Sequence, residues 1–162
     1  MTREDLQRDI LALAASKGVM IATAESCTAG LIAGALTDLA GSSALFDRGF
    51  ATYSNEAKKD MLGVSQGTLD AHGAVSEVVA KEMAEGALSR SKAQLAIAVT
   101  GIAGPGGSEH KPEGRVCFGL AQDNAQIFAE TIEFGAIGRN HVRAATVDHA
   151  LGMLKTALEM RD

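Results

Sequence analysis

Apolar positions along this chain switch between two periods. Over 2–17, Leu6, Ile10, Leu13 and Ala14 fall on one helical face, with Thr2 able to cap the start and Gly18 the end. The pattern then becomes an unbroken apolar run at 19–24, as expected for a strand covered on both sides. Helical spacing returns over 28–39 through Leu31, Ile32, Ala35, Leu36 and Leu39, and the small residues of 40–43 stop it. A second strand is expected over 46–53, interrupted by Arg48 and Gly49, and a short helix capped by Ser54 or Asn55 runs to Leu62 and closes at Gly63. A longer helix opens at Ser76 through Val79, Met83, Ala87 and Leu88, and a third strand follows over 94–100. The stretch 101–114 is too long and too glycine-rich for a plain connector, and loops of that kind are usually functional. A hairpin over 116–121 and 127–134 turns at Asp123-Asn124, and a last helix opens near Gly138 with Val147, Leu151, Leu154 and Leu158 on its apolar face. Helices alternating with strands, then a hairpin, predict a three-layer α/β/α sandwich around a mixed, partly parallel sheet, forming one domain over 1–162.

Composition narrows what such a domain does. With 46% apolar residues the chain can close a real core, and its 15 Lys and Arg against 20 Asp and Glu give a formal charge of −5. No window gathers the cations that counterion release on a duplex needs, and 4% aromatics without Trp give no stacking platform for single strands, so nucleic acid is not expected as a partner. Cys27 and Cys117 show no zinc-ligand spacing and suggest reduced thiols in a cytoplasmic protein. The amphipathic start is unlike a signal peptide and no run reaches membrane-spanning length, so no membrane is expected either.

Two strand ends carry candidate chemistry. The first run breaks into Glu25-Ser26-Cys27-Thr28-Ala29-Gly30, the third into Thr100-Gly101-Ile102-Ala103-Gly104. A strand feeding a helix start presents orphan N–H groups suited to a phosphate or an oxyanion, and two such ends on neighbouring strands face one crevice. Ser26 is either a helix cap or a nucleophile; Thr28 is better placed to cap, which leaves Ser26 free. Cys27 is either a small buried hydrophobe or a rival nucleophile whose thiol a helix start would acidify. His72, His110, His141 and His149 share no motif and read as surface or helix residues; the remaining option for a base is Lys58, just past the second strand, which is either that base or a solvated surface residue. A lysine ordinarily titrates near about 10.4, so serving as a base at neutral pH costs roughly 4 kcal/mol, which burial, a helix N-terminus or a nearby arginine can supply. Tyr53, the only tyrosine, could relay a proton between Ser26 and Lys58. Arg139 and Arg143, one helical turn apart, are either a solvated face or a pair of phosphate ligands. Ser108 and Lys111 spell S-x-x-K, but the surrounding Gly106, Gly107, Pro112 and Gly114 argue against the helix that motif needs. Neither a Walker pattern nor GxGxxG is present.

Six segments together resemble the CinA C-terminal domain family, also known as nicotinamide mononucleotide amidases: AESCTAG at 24–30, GSSALFDRGFATYSNEAK at 41–58, HGAVSE at 72–77, VTGIAGPGG at 99–107, KPEGRVCF at 111–118 and GRNHVR at 138–143. The resemblance implies a mixed-sheet α/β/α fold in a homo-oligomer, and hydrolysis of the carboxamide of nicotinamide mononucleotide to nicotinate mononucleotide and ammonia, with no metal or other cofactor. It implies Ser26 as nucleophile and Lys58 as base, with Tyr53, Thr100 and Arg139 in the site. Cys27, Thr28, Gly30, Gly101 and Gly104 are the expected substrate-binding neighbours. Ala29 departs from the family pattern, which more often has a second glycine there. Many relatives carry an extra N-terminal domain resembling molybdopterin-binding proteins; these 162 residues do not include it, and nothing owned by it, such as a link to competence or DNA damage, carries over. The alternative is a non-catalytic nucleotide-binding or regulatory module that uses the same strand ends to hold a phosphate.

Overall fold

Large and small residues alternate along the central strands, and the alternation sets the two helical layers. The computed structural model describes residues 1–108 and 110–162. It places β1 (Ile21–Glu25) parallel to both β2 (Phe46–Ala51) and β3 (Leu95–Gly101); β4 (Arg115–Gln122) and β5 (Phe128–Glu133) then continue antiparallel, giving the order β2-β1-β3-β4-β5. Ile21, Leu95, Ile97 and Val99 point to one face and pack with residues of α1 (Arg3–Lys17), α2 (Leu31–Leu36) and α6 (Arg139–Met160). Ala22, Ala24, Ala96 and Ala98 point to the other, against α3 (Asn55–Leu62), α4 (Gln66–His72) and α5 (Glu77–Ser89). Small residues on that face let α5 lie so close that a side chain at Gly119 of β4 would strike the α5 backbone at Ala80. The expected three-layer mixed-sheet fold is the one observed.

Local signals set most boundaries. Thr2 and Asp5 form a reciprocal capping box on α1, and Gly18 ends it in the left-handed region. Ser54, Ser65 and Ser76 each accept an N–H at the start of α3, α4 and α5. The second helix departs from expectation. It spans Leu31–Leu36 rather than 28–39, because Ala29 and Gly30 both have positive φ, 49° and 110°, and the chain must finish that turn before it can wind. The α4 helix was not foreshadowed in the sequence; its one buried residue is Leu69. Ser108 and Lys111 exchange backbone hydrogen bonds of 3.0 and 2.8 Å as an isolated bridge rather than sharing a helical face, while Glu109, inside that S-x-x-K pattern, lies outside the described residues. Among the described residues no helix is long and apolar enough to cross a membrane.

Candidate active site

Alternation carries past the end of β1 and separates two adjacent side chains onto opposite faces. Glu25 turns toward α2 and Ser26 toward α3. The Glu25 carboxylate, 1% exposed, accepts from Ile32 N at 2.9 Å, Ala33 N at 3.0 Å and Thr28 Oγ1 at 2.5 Å. It fills the start of α2 with the protein's own negative charge, so this helix end is not open to a ligand anion. Thr28 is therefore not the cap expected of it, and Ser26 is spared that duty by Glu25 instead.

Ser26 meets Lys58. The lysine lies on α3, held in place by the Ser54 cap and by burial of Leu62, and is 1% exposed. Its Nζ is 2.9 Å from Ser26 Oγ and donates to the carbonyls of Thr52 at 3.0 Å and Tyr53 at 3.2 Å. The Ser26 hydroxyl lies 3.5 Å from the Tyr53 carbonyl, too far to commit its proton there. With hydroxyl and amine in direct contact, a relay is unnecessary at this step. The Tyr53 phenol is engaged elsewhere, accepting from Arg139 Nη2 at 3.2 Å, while Arg139 Nη1 donates to the Gly104 carbonyl at 2.7 Å.

These groups line a cavity of about 300 Å³ at the carboxyl ends of β1 and β3. Of the residues singled out in the sequence, Ser26, Cys27, Tyr53, Lys58, Thr100, Gly101, Gly104 and Arg139 line it. Thr28 and Gly30 do not: the Thr28 side chain is buried against Glu25, and Gly30 serves the turn into α2. Thr100 gives its hydroxyl proton to the Ala74 carbonyl at 2.9 Å, so it braces the wall as well as lining it. Gly101 owes its missing side chain to β4, since a Cβ there would come within 2.7 Å of Val116 Cγ2. Asn55, Ala74 and Val75 also line the cavity although the sequence reading gave none of them a place in the site. Asn55 had a readable signal, lying three residues before Lys58 and hence on the same side of α3. Lys111 clamps the outer wall, donating to the carbonyls of His72 and Val75.

Two sequence-level alternatives are corrected here. Arg143 is not paired with Arg139 at the cavity; its guanidinium binds the carbonyls of Cys27 and Thr28. The Cys27 thiol is not acidified: burial is the main cause pushing it up to about 11, its own backbone N–H opposes this, and nearby Glu25 adds to it. A larger groove of about 720 Å³ lies at the other end of the sheet, between the β4–β5 hairpin and the second half of α6. It contains His149, 2.6 Å from Glu130, but none of the strand-end residues.

Residues 3–158 match the family described as CinA C-terminal domain. A protein of Enterobacter agglomerans named nicotinamide-nucleotide amidohydrolase PncC is 50% identical over 155 residues, covering 95% of this chain and 92% of its own length. A CinA-like protein of Chloroherpeton thalassium is 55% identical over 135 residues, 81% of this chain. The chain spans 38% and 32% of the length of the first curated relatives it matches. Among solved structures, competence/damage inducible protein CihA from Agrobacterium tumefaciens superposes with a TM-score of 0.93 at 53% identity, covering 98% of this chain and 96% of that one.

Proposed function

This chain belongs to the CinA C-terminal domain family, and on that footing we propose that it is an amidohydrolase that converts nicotinamide mononucleotide to nicotinate mononucleotide and ammonia, serving pyridine-nucleotide salvage. The relative named as a nicotinamide-nucleotide amidohydrolase supports the substrate. The observation that carries the chemistry is the 2.9 Å contact between Lys58 Nζ and Ser26 Oγ at the wall of a cavity.

Ser26 Oγ attacks the carboxamide carbon while its proton passes to Lys58 Nζ, so a C–O bond forms and negative charge moves onto the carboxamide oxygen. Lys58 returns that proton to the nitrogen as the C–N bond breaks and ammonia leaves. Water then gives a proton to Lys58 and attacks the acyl-enzyme; the proton goes back to Ser26 as nicotinate mononucleotide departs. This cycle needs a neutral amine at rest. A neutral amine has two N–H bonds, which the Thr52 and Tyr53 carbonyls can take, and one lone pair, which then faces the Ser26 hydroxyl. The N–H groups of Cys27 and Thr28, or that of Gly101, hold the oxyanion, each donor contributing about 3 kcal/mol in comparable sites. The ribose phosphate rests against Arg139, since Glu25 occupies the start of α2 and the Glu113 carboxylate takes the Gly106 N–H.

Ammonia release from nicotinamide mononucleotide, measured with a chelator present, tests the reading. Ser26→Ala and Lys58→Ala are expected to lose at least about 100-fold in kcat, the usual scale for removing a proton-transfer partner. Cys27→Ala is expected to keep turnover, and free nicotinamide to be a poor substrate. Full turnover by Ser26→Ala would remove the serine. No turnover by wild type, with nucleotide binding retained, favours a binding or regulatory module. The same reading expects a cytoplasmic homo-oligomer, which light scattering of the purified chain checks.

A further inference from the structure

Arg143 lies one turn beyond Arg139 on α6 but is not among the residues that line the cavity. Its Nε donates to the Cys27 carbonyl at 3.0 Å and its Nη2 to the Thr28 carbonyl at 3.3 Å. The preceding carbonyl, of Ser26, accepts from Ala29 N at 3.1 Å. Three successive carbonyls of the nucleophile turn are thus each held by a donor. A trans peptide points its N–H opposite its C=O, so a donor that grips one carbonyl also fixes the direction of the next residue's N–H. Holding the Ser26 carbonyl aims the Cys27 amide; holding the Cys27 carbonyl aims the Thr28 amide. A planar guanidinium grips two adjacent carbonyls from separate nitrogens in a fixed fork, with less freedom left over than an ammonium, whose donors all turn about one bond.

Resting on the acyl-transfer reading above, we infer that Arg143 is a positioning residue that orients the Thr28 amide directly, and the Cys27 amide through the Ala29–Ser26 hydrogen bond, toward the oxyanion formed when Ser26 attacks. It acts through the turn and does not contact substrate. This assigns the two α6 arginines separate tasks: Arg139 faces the cavity, and Arg143 sets the geometry behind it.

The test compares ammonia release by the full chain as wild type, Arg143→Lys and Arg143→Met, with thermal melting of each. In Arg143→Met, kcat is expected to fall by about 100-fold, the scale of an ångström-sized misplacement in an active site. Arg143→Lys is expected to fall less, KM to stay within about twofold, and the pH midpoint of kcat/KM to stay that of wild type, because Lys58 is untouched. Phosphonylation of Ser26 by a fluorophosphonate, which also builds negative oxygen at this place, is expected to slow in step with kcat, and millimolar ethylguanidinium to restore part of the rate in Arg143→Ala. Unchanged kcat overturns the inference. So does a tenfold rise in KM with kcat kept, which marks a phosphate ligand, or a loss in Arg143→Lys matched by loss of folded protein, which marks a purely structural strut. A wild type that releases no ammonia overturns the amidase reading itself before any variant is compared, and this assignment falls with it.

Discussion

Ala29 sits with φ at 49°, a conformation that costs an L-residue roughly 1 to 2 kcal/mol and a glycine almost nothing. The departure from the family pattern that was visible in the sequence therefore has a physical meaning: this chain tolerates strain beside Ser26, its proposed nucleophile. Ala29→Gly is expected to raise unfolding stability by about 1 kcal/mol in urea titration, with little change in KM. Cys27 tells a second story at this scale. With its pKa raised to about 11, its thiol stays protonated through neutral pH. A raised acid stabilises the fold below its ordinary value, and that contribution is lost as pH climbs through about 11, where the folded thiol finally ionises. Alkylation of Cys27 by iodoacetamide is thus expected to be slow at pH 8 and to accelerate only toward pH 11, whereas a thiol acidified by a helix start would react readily at pH 8. Ser26 and Lys58 could be picked out from residue type and place. The roles of Glu25 and Arg143 could not, because most of their partners are backbone groups, up to 116 residues away for Arg143, and no local spacing announces them.

Helices and strands were legible where a terminus carried its own chemistry, as with Thr2 and Gly18 on α1 or Ser54 and Gly63 on α3. They were not where conformation overrode periodicity, as at Ala29 and Gly30, or where one buried leucine could not establish a period, as in α4. Contacts between elements were invisible in advance, and Gly86 shows why they matter. It lets α5 touch the end of α3, where an added Cβ would lie 2.0 Å from the Leu62 carbonyl oxygen. That atom is backbone, so the helices must part. Gly86→Ala is expected to cost about 1 to 3 kcal/mol of stability, the usual scale of overpacking. Because α3 also carries Lys58, kcat is expected to drop by at least about tenfold in the fraction that remains folded. Melting curves and turnover measured on the same sample check both effects.

For the molecule as a whole, the fold class followed from the order of elements, while strand order and the shape of the cavity came only with the structure. A ligand that binds the native state alone raises stability by mass action. Nicotinamide mononucleotide at 100 times its Kd is expected to stabilise the Ser26→Ala chain by about 2.7 kcal/mol, or roughly 5 to 10 °C in melting temperature. Free nicotinamide at the same concentration is expected to give a much smaller shift; equal shifts would mean that the phosphate is not recognised. The cavity also has two sides of different origin. Ser26, in the turn after β1, and Lys58, on α3, come early in the chain, whereas Thr100, the 102–108 stretch and Arg139 come from later segments. On the proposed amidase reading, the bond-cleaving pair and much of the wall that a ligand meets are therefore written in separable parts of the polypeptide. Evolution, or an engineer, can then redraft the later part to admit a different amide while that pair is inherited unaltered.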